Sequence, residues 1–340
     1  MITKKFSVLL ALFLLIQVSY FLQAQNIVTV HPEPYPDALR NPLMGFRPDP
    51  GDIGNADYPY TTIVRKYIRW NEIENEESDG VQKIIDLCNK EWAGYEKANV
   101  KVIPRVYIQW YTDPAGRYWP ADLTDGDWTS QEFKDRVVNL IYKLGEAWDN
   151  DPRVAWVQTG IIGYWGEQES PVGVDEDGWA QRLGDAYQTA FKNKKLLVRN
   201  QNDWTSTEFG VYWDSYGHPG QKPWAWTDIK NFNSQGRYKT QIVEGEVAYG
   251  WGEDVFDPLY GGEPEVTLDD YKYTNNMIDV IRELHCTGLG WVASYMEIDQ
   301  TSVVNLDSIK KMLPECKKNL DIGFTYPNFH VLHASIRIKT

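Results

Sequence analysis

Cysteine and histidine are scarce in this chain of 340 residues. It contains three cysteines, Cys88, Cys286 and Cys316, and five histidines. So small and odd a number of cysteines excludes a disulfide framework, and no Cys-x-x-Cys or paired-histidine spacing offers a zinc site. Cys88 fits a helical pattern as a small core residue, whereas a bridge between Cys286 and Cys316 stays open in an oxidising compartment. We therefore expect no cofactor, no metal, and a fold stabilised by a large hydrophobic core.

Positive charge is also in deficit, with 34 Lys and Arg against 48 Asp and Glu, a formal net charge of −14. Phosphate contacts require clustered lysine and arginine, so this balance argues against a nucleic-acid partner. The chain has no Gly-x-Ser-x-Gly turn and no cysteine with a base close to it in the sequence. Serine and cysteine nucleophiles therefore lack a supporting motif.

Long hydrophobic runs are missing, apart from one near the first residue. Phe6–Leu22 follows Lys4 and Lys5, and small or polar residues follow it, which is typical of a secretory signal cleaved after Ala24. The alternative is an uncleaved membrane anchor, because the run is close to the minimum length that spans a bilayer. We expect residues 1–24 to be a signal peptide. The mature protein would be secreted or periplasmic, without a membrane segment, and its association with the cell surface stays open.

Aromatic side chains are abundant: 15 Trp, 21 Tyr and 11 Phe make up 14% of the chain. Flat rings stack on the apolar faces of sugar rings, while carboxylates and amides bind sugar hydroxyls. This composition favours a neutral, ring-shaped ligand such as an oligosaccharide or polysaccharide.

Apolar, strand-like runs alternate with helix-like stretches along the chain. Several of the runs are continuously apolar, as in strands that are buried on both faces of a parallel sheet. The eight predicted strands are Leu43–Phe46, Ile63–Ile68, Val100–Tyr107, Val154–Ile162, Leu196–Asn200, Gly210–Trp213, Thr240–Gly245 and Gly288–Tyr295.

Helix signals lie between these strands. Thr129-Ser130-Gln131-Glu132 has the pattern of a capping box that opens a helix reaching Trp148, and Thr267–Asp270 has the same pattern before a helix reaching His285. The other predicted helices are Val81–Lys97, Trp179–Phe191 and Leu306–Leu320.

This alternation predicts a (β/α)8 TIM barrel over residues 25–320. The competing doubly wound sheet would need a glycine-rich phosphate turn after its first strand, where Arg47-Pro48-Asp49-Pro50 stands instead. Residues 321–340 alternate in polarity like β-strands. They either close the edge of the barrel or begin a C-terminal β-sandwich that is truncated in this sequence.

Active groups of such barrels lie at the carboxyl ends of the strands. Hydrolysis of a sugar acetal needs two carboxyl groups on opposite sides of the scissile bond. Strands four and seven lie across the barrel mouth from each other. They end close to Glu167 and to the pair Glu244 and Glu246, so one glutamate from each strand can face the same bond.

We predict Glu167 as the acid/base, because Tyr164 and Trp165 beside it would desolvate the carboxyl and raise its pKa. Glu169 is the weaker candidate for that role. Glu246 is the predicted nucleophile. Glu244 has the same strand parity and remains an alternative, although Glu246 is nearer the rim.

Other polar and aromatic residues at the predicted rim could bind substrate, and Arg69 or Arg105 could keep the nucleophile ionised. The full set of predicted substrate-binding residues is Arg69, Trp70, Arg105, Trp110, Trp165, Asn202, His218, Trp251, Tyr295 and Glu297.

Several of these motifs resemble a known family. Arg69-Trp70-x-x-Ile73-Glu74, with Gly80 and a helix after it, resembles the exit of the second strand in β-galactosidase-like barrels of the retaining clan-A glycoside hydrolases. Together with Asn41–Phe46, the Gly160–Glu167 run and Glu246, it resembles a group of secreted, largely uncharacterised bacterial barrels related to that clan. The resemblance covers roughly residues 38–315 and implies an acid/base on strand four and a nucleophile on strand seven. In this group a β-sandwich often follows the barrel.

The sequence departs from that clan at one position. The clan usually has asparagine directly before the acid/base glutamate, where it binds the sugar 2-hydroxyl, whereas this chain has Gly166. Either Gln168 or Asn202 replaces that asparagine, or the activity is altered or lost. The sequence therefore predicts a secreted glycoside hydrolase that cleaves O-glycosidic bonds with retention. The alternative is a non-catalytic carbohydrate-binding barrel that serves glycan uptake.

Overall fold

Eight parallel strands form the centre of the protein. The computed structural model describes residues 43–47, 62–110, 116–168, 178–199, 209–216, 222–247 and 277–290. The strands are β1 Gly45–Arg47, β2 Ile63–Arg69, β3 Lys101–Gln109, β4 Val157–Tyr164, β5 Leu196–Val198, β6 Gly210–Tyr216, β7 Val243–Val247 and β8 Gly288–Gly290. The helices are α1 Trp70–Ile73, α2 Val81–Glu91, α3 Gln131–Trp148, α4 Trp179–Ala190, α5 Lys222–Ser234 and α6 Met277–Leu284.

The strand order is that of a barrel. It runs β1-β8-β7-β6-β5-β4-β3-β2, and every neighbouring pair is parallel. The two end strands also lie against each other, and the Thr62 hydroxyl before β2 donates to the Met44 carbonyl before β1 at 2.8 Å. Parallel strands joined by helices in this order make a (β/α) TIM barrel. The predicted fold class is confirmed, and each of the eight predicted strands overlaps an observed one. The predicted ends of the fifth strand at Asn200 and of the eighth at Tyr295 lie outside the described residues.

Strand parity divides the side chains between two cores. Alternate residues of a strand point to opposite faces of the sheet, so one set faces the helices and the other faces the barrel axis. The outward set includes Val64 and Ile68 of β2, which belong to a large cluster shared with the helices. The inner core is a smaller cluster of Ile63, Ile103, Trp156, Leu197, Tyr212 and Ile242. Because Arg65 shares the parity of Ile63, it points inward, above this apolar layer.

The start of α3 lies one residue later than the predicted capping box. Ser130 is the N-cap residue, and its hydroxyl accepts from the Phe133 backbone N–H at 3.2 Å. The third helical residue is therefore Phe133, so Glu132 cannot close the box and instead lies in the first turn, where the helix dipole favours a carboxylate. The helix ends at Trp148, as predicted.

Two other helix predictions differ from the structure. α2 ends at Glu91 rather than Lys97, and Gly94, three residues later, has a left-handed backbone (φ +91°) that a continuing helix would not allow. α5 was not predicted, and its Pro223 and closely spaced tryptophans give no clear helical period. None of the helices in the described ranges is long and apolar enough to cross a bilayer. The predictions for residues 1–24, Thr267–Asp270, Leu306–Leu320 and residues 321–340 lie outside the described residues.

A buried ion cluster attaches the exit of β2 to α3. Glu74, which is fully buried, accepts from Arg136 Nη2 at 2.9 Å and from Lys143 Nζ at 2.7 Å. Arg136 also pairs with Asp122 at 2.7 Å. The glutamate of the Arg-Trp-x-x-Ile-Glu motif therefore has a structural role in this chain.

Loss of this cluster should destabilise the barrel. Glu74→Ala leaves the buried Arg136 short of one carboxylate, so we expect the free energy of unfolding to fall by about 3–5 kcal/mol. The matched control is Glu72→Ala two residues earlier, where an exposed pair with Arg69 is removed and the change should stay below about 1 kcal/mol. Urea unfolding followed by circular dichroism measures both. Equal losses in the two variants would contradict this role for Glu74.

Candidate active site

A cluster of arginines and carboxylates lies above the apolar layer of the barrel. At its centre is Asp214, near the carboxyl end of β6. Arg105 Nη2 lies 3.1 Å from Asp214 Oδ1 and 3.3 Å from Oδ2. Arg199 Nε lies 3.3 Å from Oδ2, and Arg65 Nη1 lies 3.6 Å from Oδ1. One aspartate thus contacts three arginines that come from β2, from β3 and from the residue after β5.

The two predicted catalytic glutamates flank this cluster. Glu167 lies 3.8 Å from Arg105 Nη1 and 3.5 Å from Arg199 Nη2, and its side chain is 15% exposed. Glu246 forms an ion pair with Arg65, and its side chain is 7% exposed. The carboxylates from β4 and β7 are therefore brought to the same group of arginines at the carboxyl ends of the strands.

Electrostatics keep this cluster charged. Burial by itself would raise the pKa of Asp214, but the guanidinium groups of Arg105, Arg199 and Arg65 outweigh it and hold that pKa well below its usual range. Burial opposes the charge of Arg105, and the carboxylate of Asp214 raises its pKa well above the usual value. Asp214 is therefore ionised at neutral pH and is no proton donor.

The arginine beside Glu246 differs from the one that the sequence suggested. We expected Arg69 or Arg105 in this role, and the structure gives the contact to Arg65. Arg105 instead bridges Asp214 and Glu167, while Arg69 contacts Tyr107 Oη at 3.2 Å.

Glu244 lies one inward-facing position deeper in the barrel than Glu246. It is fully buried and accepts from Gln158 Nε2, and the Gln158 Oε1 in turn accepts from Arg105 Nε at 2.5 Å. Glu244 is therefore engaged below the cluster, whereas Glu246 is nearer the open end. This geometry favours Glu246 over Glu244 as the rim carboxylate.

Two bulges in β4 set the position of Glu167. The β3 residues 105, 107 and 109 pair with residues 158, 161 and 164 of β4, so each step of two residues in β3 faces three in β4. Ile161 lies between the two bulges, and its φ of +66° is rare for a β-branched side chain. Such strain, of about 1–3 kcal/mol, is found mostly at functional sites.

The backbone explains why glycine precedes Glu167. Gly166 has a φ of +71°, and a Cβ added there would lie 2.7 Å from the Val106 carbonyl oxygen and 3.1 Å from the Gly160 Cα. Its own carbonyl accepts from Tyr212 Oη at 2.7 Å. An asparagine at this position would meet the backbone of β3, so the clan's usual residue does not fit this conformation.

Gln168, one of the two suggested replacements for that asparagine, has a structural role. It is 2% exposed, it donates to Thr159 Oγ1 at 2.5 Å, and its Oε1 accepts from the Arg199 backbone N–H at 2.9 Å. The side chain thereby fixes the end of β4 to Arg199, the residue after β5. The other suggested replacement, Asn202, lies outside the described residues.

Aromatic rings form one wall beside the cluster. The Trp110 ring makes edge contacts with Trp165 at 6.1 Å and with both Tyr67 and Tyr107 at 5.4 Å between centroids. Trp110 and Trp165, both predicted to bind substrate, are thus neighbours, and both are partly exposed. Arg69 lies at the same edge with its guanidinium 4.3 Å from the Tyr118 ring, and its side chain is 45% exposed.

Two predicted substrate contacts are placed elsewhere. Trp70 is completely buried in the core between sheet and helices, where its ring packs 6.0 Å from that of Phe133. Trp70 continues the parity of Val64 and Ile68, so its side chain faces the helices rather than the barrel axis. Arg105 faces the axis but is also completely buried, so it acts on the carboxylates around it rather than on substrate directly. The predicted site residues Asn202, His218, Trp251, Tyr295 and Glu297, and the alternative Glu169, lie outside the described residues.

The thiols of the described part of the chain take no part in this cluster. Cys88 and Cys286 are both buried and free, and burial raises the pKa of each to about 12, so both are inert at neutral pH. Cys316, the suggested partner of Cys286, lies outside the described residues. Within the same ranges, no group of three or more His, Cys, Asp or Glu side chains is arranged to hold a metal ion.

Sequence reasoning missed Arg65, Arg199 and Asp214. Each had a weak signal. Arg65 has the parity of Arg69 and interrupts an apolar strand, and Arg199 lies inside the predicted fifth strand. The sixth strand was predicted to end at Trp213, one residue before Asp214.

Comparisons with known proteins support the fold. The structure is similar to an exo-β-1,4-mannosidase, Op5Man5, from the Opitutaceae bacterium strain TAV5, with a TM-score of 0.51 and 11% identity over 79% of this chain. This chain spans 54% of the mannosidase's length. It is also similar to endo-glycoceramidase II from Rhodococcus sp. (TM-score 0.47, 14% identity, 73% of this chain and 72% of that one). The Pseudomonas stutzeri endoglucanase Cel5A gives a TM-score of 0.48 and 12% identity over 78% of this chain and 86% of its own.

No family model and no curated protein sequence matches this chain. At such low identity, the likeness to the mannosidase extends to the barrel fold alone. The barrel fold of this chain is therefore shared with that mannosidase.

Substitution of Gly166 should destabilise the turn that carries Glu167. Gly166→Ala combines a left-handed backbone with a clash against Val106, so we expect it to lower the free energy of unfolding by about 3 kcal/mol. Gly178→Ala is the matched control, because Gly178 has a φ of +73° and no atom within 4 Å of an added Cβ. Gly178→Ala should lower the free energy of unfolding only by the cost of a left-handed backbone, about 1–2 kcal/mol. Urea unfolding compares the two, and equal costs would show that the β4 turn can relax around the added methyl group.

Proposed function

We propose that this protein is a glycoside hydrolase that cleaves O-glycosidic bonds of a carbohydrate with two carboxyl groups, Glu167 and Glu246. The observation that carries the proposal is their common position. One follows β4 and the other lies on β7, and both contact the arginine cluster at the carboxyl ends of the strands. The aromatic wall of Trp110 and Trp165 beside them supports a sugar as the ligand.

In the proposed reaction Glu246 is the nucleophile. Its carboxylate attacks the anomeric carbon while the bond to the leaving oxygen breaks and Glu167 gives that oxygen its proton. In the second half Glu167 takes a proton from water, whose oxygen attacks the anomeric carbon and releases Glu246. The ion pair with Arg65 supports an ionised Glu246. Two inversions at the same carbon give net retention of configuration.

The acid role of Glu167 depends on a balance of charge and burial. Arg105 and Arg199 beside it stabilise a carboxylate, whereas partial burial and a sugar ring packed over it would favour the protonated acid. We propose that bound substrate excludes water from the mouth of the barrel and thereby favours the protonated form of Glu167. Export also belongs to the proposal, because the signal-like segment over residues 1–24 would direct the protein out of the cytoplasm.

Two isosteric variants test the assignment. Glu167→Gln and Glu246→Gln should each lower kcat by about 10²–10⁴-fold on a glycoside that the wild type cleaves. The first variant removes the proton donor and the second removes the nucleophile. The substrate panel would be chromogenic glycosides, including β-mannosides. Glu72→Gln, an exposed carboxylate at the same end of the barrel, is the control and should keep kcat within a few-fold of the wild type. Unchanged kcat in both glutamine variants would reject the assignment.

Product stereochemistry tests the retaining route separately. Proton NMR during the first minutes of hydrolysis should show a product with the anomeric configuration of the substrate. An inverted first product would mean that water, rather than Glu246, attacks the anomeric carbon.

A second candidate function is a non-catalytic carbohydrate-binding barrel that serves glycan uptake. Gly166 before Glu167 favours it, since this conformation has no room for the asparagine that holds the 2-hydroxyl in the related hydrolases. Titration calorimetry that detects oligosaccharide binding, without reducing ends on long incubation, would support the binding protein over the enzyme.

A further inference from the structure

Asp214 occupies a position that the two-carboxylate reaction does not use. It is 7% exposed and it contacts all three arginines of the cluster. Each of these arginines also contacts one of the two proposed catalytic glutamates: Arg65 contacts Glu246, and Arg105 and Arg199 contact Glu167.

We propose that Asp214 is a positioning residue that holds these three arginines in place and electrostatically couples Glu167 to Glu246. The catalytic role of this coupling rests on the proposed function. The physical coupling that it describes can be measured without substrate. Asp214 itself touches no reacting atom in this account.

The sign of the coupling follows from the charges in the cluster. Asp214 offsets part of the positive potential that Arg65, Arg105 and Arg199 create around the two glutamates. Without that negative charge, the arginines would stabilise both glutamate carboxylates more strongly. Both would then release their protons at lower pH.

Among the described residues, the other titratable groups near Glu167 do not reverse this sign. Tyr67, whose hydroxyl accepts from Arg105 Nη1 at 3.2 Å, and Tyr212, whose ring lies 4.3 Å from the Arg105 guanidinium, both have pKa values raised by burial. They stay neutral through the acid range. On the β7 side, Glu244 bonds to Gln158 and lies below Glu246.

Asp214→Asn tests the coupling, since asparagine keeps the shape of the side chain and removes its charge. The readout is ¹³C NMR of the full chain labelled at glutamate Cδ. Spectra of Glu167→Gln and Glu246→Gln assign the two resonances. We expect the titration midpoints of both glutamates to fall by about one pH unit. Unchanged midpoints in a folded Asp214→Asn protein would overturn the proposal.

The control variant is Glu72→Gln, which also removes one carboxylate charge that is paired with an arginine. Its side chain is 44% exposed and solvent screens it, so neither midpoint should move by more than about 0.3 units. An equal shift in Glu72→Gln and Asp214→Asn would mean that net charge alone is responsible, and it would overturn a specific role for Asp214.

A second variant keeps the test valid if Asp214→Asn does not fold. Arg199→Gln should raise the midpoint of Glu167, which it contacts. It should also raise the midpoint of Glu246 by a smaller amount, because Asp214 is then less compensated and repels that carboxylate. A shift confined to Glu167 would overturn the coupling.

Kinetics extend the test to catalysis. With a cleaved glycoside in hand, the basic limb of the kcat/KM profile should move to lower pH in Asp214→Asn, since Glu167 would lose its proton earlier. A merely structural role would lower activity without moving that limb. Failure to find any cleaved glycoside would reject the proposed function, while the NMR titrations would still decide the coupling.

Discussion

The interior of this barrel depends on charge compensation among groups that water cannot reach freely. Three guanidinium groups lie inside the ring of strands, and a buried charge without a partner would cost several kcal/mol. The structure offsets them with Asp214 at the centre and with Glu167 and Glu246 at the two sides. The positions of the two glutamates are therefore set by the same ion pairs that make burial of the arginines tolerable.

Tyr212 connects this charged layer to the rest of the fold. Its ring belongs to the apolar layer at the base of the barrel, and the Arg105 guanidinium lies 4.3 Å above it. Its hydroxyl donates to the carbonyl of Gly166, next to Glu167. Tyr212 thus links the inner core, Arg105 and the turn that carries Glu167. Packing defects in that core should be transmitted to the site, because protein interiors are close-packed.

Much of the fold could be predicted from the sequence, since its signals are local. Strands such as β3 and β5 are largely apolar runs, and α3 has its own cap at Ser130. The site was predictable only in part. Glu167 and Glu246 follow from where strands four and seven end. Trp70 was misplaced because its closeness to the strand end was used rather than its parity with Val64 and Ile68, which face the helices.

The sequence alone determined the alternation of strands and helices, and with it the barrel and the rim on which its carboxylates lie. Only the tertiary structure decided which charges meet. Arg105 and Asp214 are 109 residues apart in the chain and pair across the barrel axis, where no local pattern specifies a partner. Ion pairs of this kind depend on register and strand parity summed over the whole sheet, and one bulge in β4 is enough to change them.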